Sequence, residues 1–156
     1  MPDFDTAKAH KFFSAHCFNT AWKLIDKPKR TPEETEQLIQ RTMASLWHWT
    51  QREDCTDKNL SIGYWQAARV FALAGEADNA RKYAQRCLAI TPTDDAFCLG
   101  YAHEALARAE ALAGNDALAK EHLVQARRFA DDIADAEDQK LLVDDLKSLE
   151  ESGHNS

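Results

Sequence analysis

The sequence predicts an all-α protein, in which antiparallel helix pairs stack as a short solenoid of about seven helices with no strands. Three observations predict it. Only five glycines and four prolines occur in 156 residues, and they fall between long alanine- and leucine-rich stretches. Apolar residues recur at helical spacing, and no segment alternates with period two over β-branched residues. A stretch near the middle of the chain also repeats itself 39 residues later. Helices are expected at about 6–26, 32–51, 58–74, 77–90, 94–113, 116–132 and 136–151.

Taken in order, the first helix carries Phe12, Phe13, His16, Cys17, Thr20 and Leu24 on one face. Pro28 in DKPKR ends it, because proline cannot continue an interior hydrogen-bond ladder. The second begins at Thr31-Pro32-Glu33-Glu34: Thr31 can cap, Pro32 has its φ pre-set, and Glu34 can close a capping box. Its apolar stripe is Leu38, Ile39, Met43, Leu46 and Trp47. A polar connector, Gln51 to Asn59, leads to the third helix, which Gly75 closes. The last helix sets Leu141, Leu142, Leu146 and Leu149 on one side, with Asp138, Asp144, Asp145 and Glu151 elsewhere. One apolar and one charged face is what a terminal unit needs to stop further stacking.

The organisation expected is a single helical-repeat domain over 1–151. It divides into an N-terminal pair at about 6–51, units at about 58–90 and 94–132, and a cap at about 136–151, before a disordered tail at 152–156.

The net charge of −7 excludes broad contact with nucleic acid or an anionic membrane. It is concentrated: Asp131 to Glu151 holds nine acidic residues against Lys140 and Lys147, and the other residues balance. No run of about 18 apolar residues occurs, so no membrane span is expected, and the N-terminus does not read as a signal peptide. Cys17, Cys55, Cys87 and Cys98 form no CxxC pair. They read as free thiols in a reducing cytoplasm.

Aligning Gly75 with Gly114 gives seven identities over 13 columns, ARxxALAG among them. A repeat of this length points to stacked units rather than a closed globule. The segment YWQAARVFALAGEADNARKYAQRCLAITP resembles a tetratricopeptide (TPR) repeat. Tyr64 and Phe71 stand at its aromatic positions, Ala68 and Ala80 at its small ones, Gly75 at the turn and Pro92 at the end. Ala107, Gly114, Ala119, Leu123 and Ala126 fit the second copy, while His103, Glu110 and Asp131 depart from it. The wider order of FNTAWKLID, the repeat and EDQKLLVDDLK resembles a group of small uncharacterised bacterial proteins, which supplies no activity. The resemblance implies a right-handed solenoid that binds peptides or partner proteins on its concave surface. The lining residues it implies are Trp65, Arg69, Tyr101, Glu104 and Arg108. Trp65 to Arg69 and Glu104 to Arg108 are both i,i+4, so each pair shares a helix face. Two arginines beside two aromatics suit a carboxylate-bearing or other anionic group. The competing reading is a structural Glu104–Arg108 salt bridge.

No phosphate-loop, dinucleotide, zincin or nucleophile-elbow motif occurs, so no cofactor, metal or catalytic residue is expected. The alternative to an interaction module is a small-molecule or metal-binding protein, an enzyme included, using a cluster of His16, His48, Trp49 and His103. Trp47 and Trp49 lie about 200° apart around a helix, so only one of them can face a core. All four tryptophans lie in the first 65 residues, and self-association into a homo-oligomer through this aromatic-rich pair is a further expectation.

Overall fold

The computed structural model describes residues 3–153, which form seven α-helices with no strand among them. In chain order these are α1 (Thr6–Ile25), α2 (Pro32–Thr50), α3 (Asp57–Leu73), α4 (Ala77–Ile90), α5 (Ala96–Leu112), α6 (Asp116–Asp131) and α7 (Ala136–Gly153). All lie within two residues of the expected boundaries. Helix α7 runs into the segment expected as a tail, and residues 154–156 lie outside the described residues.

Each helix packs on the next, and in addition α1 meets α3, α3 meets α5, and α5 meets α7. The odd-numbered helices therefore form one layer and α2, α4 and α6 the other. No helix touches another more than two places along the chain.

Local chemistry explains the punctuation. Thr31 Oγ1 accepts the Glu34 N–H at 3.1 Å, and the Glu34 carboxylate accepts the Thr31 N–H at 3.2 Å, which completes the capping box. Thr56 and Asn59 repeat that exchange at the start of α3. The first helices of the two repeats end alike. Gly75 donates to the Ala72 carbonyl and Glu76 to Phe71, as Gly114 does to Ala111 and Asn115 to Glu110. These are paired Schellman motifs, with φ of +78° and +83° at the glycines. A Cβ at either position meets nothing within 4 Å. Gly75→Ala or Gly114→Ala should therefore cost only the left-handed backbone strain, about 1–2 kcal/mol each in chemical denaturation.

Three expected faces differ from those observed. On α1, Phe12, Phe13 and His16 point outward, while Ser14, Ala21 and Ile25 are buried. The cause is close approach: Ser45 Oγ donates to the Ser14 carbonyl at 2.7 Å, which large side chains on that face would prevent. On α2, Leu38 and Leu46 are buried but Trp47 is 56% exposed. Trp49 is half-buried under the Arg52 guanidinium, 3.9 Å from its ring centroid. On α7, Leu142, Leu146 and Leu149 are buried, whereas Leu141 is exposed.

The second repeat departs from the first for a visible reason. Phe71 stacks on Tyr83 at 5.4 Å, but Glu110, its equivalent, binds Arg81 through two hydrogen bonds of 2.5 and 3.0 Å. Asn115 donates a third at 2.6 Å. Arg81, aided by Asn115, holds the Glu110 carboxyl at about 2 despite its burial. A carboxylate lowered in the folded state contributes fully above its unfolded value of 4.5 and loses that contribution as pH falls toward 2. Glu110→Gln should flatten the fall in melting temperature across that acid window, and should cost about 1.5–3 kcal/mol at neutral pH.

Candidate ligand-binding groove

The repeat offset builds the groove. Trp65 and Arg69 lie one turn apart on α3, and Glu104 and Arg108 occupy the equivalent places on α5. Stacking brings equivalent positions of neighbouring units side by side, so the four side chains meet. Trp65 Nε1–H donates to Glu104 Oε2 at 2.9 Å. Arg108 donates to Glu104 Oε1 through Nε at 3.1 Å and Nη2 at 2.5 Å. Glu104 is 1% exposed, so its charge is neutralised beneath the surface rather than presented to a ligand.

Above it lies a concavity of about 460 Å³, within the size range of small-ligand sites. A run of rings crosses it from α1 to α5: Phe18 to Trp22 at 6.3 Å, Trp22 to Trp65 at 5.6 Å, Trp65 to Tyr101 at 5.3 Å, and Tyr101 to Phe97 at 5.0 Å. Helix α7 closes the far side with Leu141 and Asp145. The Tyr101 hydroxyl donates to Asp145 Oδ2 at 2.6 Å, and burial together with that carboxylate pushes its pKa up.

Of the two guanidiniums, Arg69 is the one with a buried donor left unpaired. Its Nη1 stands 3.8 Å from Glu104 Oε1, an ion pair too long for a hydrogen bond, and its buried Nε has no partner among the described residues. Burial, and then the neighbouring Arg108, lowers its pKa from the usual arginine value. A buried donor without an acceptor costs free energy, and the exposed part of the side chain, about a quarter of it, faces the concavity.

Of the residues expected to line the groove, Trp65, Arg69 and Tyr101 do so together. Glu104 lies beneath them. Arg108 reaches into a second concavity, about 820 Å³, bordered by Leu112, Leu123 and Arg127. Phe18, Trp22, Phe97, Leu141 and Asp145 are additional lining residues. The i,i+4 pairs Phe18–Trp22 and Phe97–Tyr101 repeat the Trp65–Arg69 spacing and carried the signal for the first three.

The expected cluster of His16, His48, Trp49 and His103 is not gathered. His48 Nδ1 lies 2.8 Å from His10 Nδ1, between α1 and α2, and His16 stacks on Phe12. His103 Nδ1 lies 3.1 Å from His122 Nδ1, between α5 and α6. Helix α5 touches neither α1 nor α2, which keeps the two histidine pairs apart. Burial, followed by the second ring, lowers the pKa of both His48 and His103. Among the described residues no group of three or more histidine, cysteine or acidic side chains is placed to hold a metal. Burial raises the Cys17 thiol above its ordinary value, and Cys87 and Cys98 are pushed up to about 11 and about 12.

Fold and groove together define an all-α, solenoid-like stack of helices with an aromatic concavity. The chain matches no family model, no curated protein and no solved structure. No helix of the described residues is long and apolar enough to cross a membrane.

Proposed function

We propose that the protein is a TPR-like interaction module that holds a peptide or a segment of a partner protein along its concave face. The observation that carries this reading is Arg69: a guanidinium with unused donors, set beside a run of five aromatic rings in an open groove. Aromatic rings supply contact area at small entropic cost, and a guanidinium orients a carboxylate through paired hydrogen bonds. The partner segment therefore carries an apolar or aromatic side chain and an anionic group.

Arg69→Ala tests it. Among the described residues the Arg69 side chain makes no hydrogen bond, so stability should change by only about 0.5 kcal/mol. Loss of a charge-assisted contact should weaken partner capture about 10- to 100-fold. The measurement is affinity capture from the native organism with mass spectrometry, followed by titration of the captured partner against both proteins. Equal affinity for wild type and Arg69→Ala would remove the groove from consideration.

A further inference from the structure

We infer that the outward face of α1 is a self-association surface, pairing antiparallel with the same face of a second copy of this chain. The face is apolar and uncovered. Phe12 is 58% exposed, and Phe13 and Trp47 are exposed as well. They belong to one connected set of rings: His16 stacks on Phe12, Phe12 meets Phe13 edge-on, Phe13 stacks on His48, and His48 meets Trp47 at 4.9 Å. None of the other described helices packs across Phe12. A contiguous exposed aromatic patch of this kind marks an interaction site.

The charge pattern selects the occupant. At about 100° per residue, Asp5, Ala9, Phe12, His16, Asn19 and Lys23 fall within about 80° of one another on α1. All except the half-buried Ala9 are exposed. The stripe is symmetric about residue 14. An antiparallel copy sets Asp5 against Lys23 of the second copy, Ala9 against Asn19 and Phe12 against His16, and the twofold axis repeats each pair. A parallel copy would oppose like charges at both ends of the stripe. Head-to-tail stacking of this face on the α7 end of a second copy would propagate rather than close. The antiparallel contact is isologous and closes as a dimer.

Size sets the expected strength. Helices α1 and α2 side by side present roughly 30 by 20 Å, on the order of 600 Å² per partner. A standard interface uses about 800 Å² per partner, so micromolar association is expected. The groove stays open in such a dimer, because Phe18 and Trp22 lie about 100–140° around α1 from the stripe.

The test is sedimentation velocity of the untagged full chain across roughly 5–500 μM, a range that brackets an interface of this size. The expected result is concentration-dependent dimer formation. Phe12→Glu, at an exposed position, should keep the helical circular dichroism and melting temperature while weakening the dimer at least about tenfold. Lys23→Glu sets two acidic groups against each other and should also weaken it. Asp5→Lys does so with two basic groups and also removes a helix cap, since Asp5 accepts the Lys8 N–H at 2.9 Å. Its helicity is therefore measured alongside. The Asp5→Lys/Lys23→Glu double variant should regain affinity over either single one. A chain monomeric throughout the range overturns the proposal and leaves the face to a different partner. A dimer indifferent to Phe12→Glu places the contact elsewhere, and a double variant no tighter than the singles overturns the antiparallel register.

Discussion

Arg108→Ala is expected to destabilise the protein by about 3–5 kcal/mol, as when one partner of a buried ion pair is removed. The loss is asymmetric. Glu104 is almost wholly inaccessible, so deleting Arg108 strands a carboxylate whose remaining hydrogen bond comes from Trp65 Nε1. Deleting the acid instead strands two guanidiniums that are each about a quarter exposed and can take up water. Arg108→Ala should therefore cost more than Glu104→Gln, and both more than Arg69→Ala. In the Arg108→Ala background Arg69, 3.8 Å from the stranded oxygen, becomes the remaining cation. Adding Arg69→Ala there should cost well beyond its effect in the wild type, a coupling that urea denaturation of the four proteins in a double-mutant cycle measures. Additive behaviour would show that Arg69 and Glu104 do not share an energetic contact.

Leu142→Ala carries the second large effect, about 2–5 kcal/mol. Leu142 and Leu146 are fully buried, and with Tyr101, Ala126 and Ala130 they hold α7 on α5 and α6. The fit is close because Gly100 leaves room: a Cβ there would collide with Leu142 Cδ2. Gly100→Ala alone should cost about 1–3 kcal/mol through overpacking. In the Leu142→Ala background the colliding methyl is absent, so the pair should cost less than the sum of its parts. Thermal melts read the total. Limited proteolysis reads the place, with cleavage expected first between Ile133 and Ala136 as α7 releases.

The helices were legible because their ends carry chemistry: a cap at Thr31, prolines at 28 and 32, and left-handed glycines at 75 and 114. The groove was legible where the repeat is regular, since the 39-residue offset sets Trp65 beside Glu104 and Arg69 beside Arg108. It failed on α1. Periodicity detected apolar spacing in Phe12, Phe13 and His16, but the face that packs on α2 is chosen by what is small enough for close approach, and Ser14 and Ala21 are inconspicuous. The same limit applies to Leu141, which looks like its buried neighbours and instead lines the groove. Asp145 was hidden for another reason: its partner Tyr101 lies 44 residues earlier, and no local pattern links the two. The i,i+4 spacing already offers Glu104–Arg108 as a salt bridge, which forms, but nothing local in the sequence shows that Arg69 keeps a buried Nε without a partner.

Contacts that never reach past the second helix along the chain also govern how the protein comes together. Folding such a chain closes only short loops, so the entropy of loop closure is met in small steps and native contacts form from neighbours. Structure can start in any helix pair and spread outward in both directions, as in a one-dimensional array. Loosening at the α7 end is then transmitted to α5 and α6 first and reaches α1 only by relay, so damage to one unit is felt in proportion to its distance along the chain.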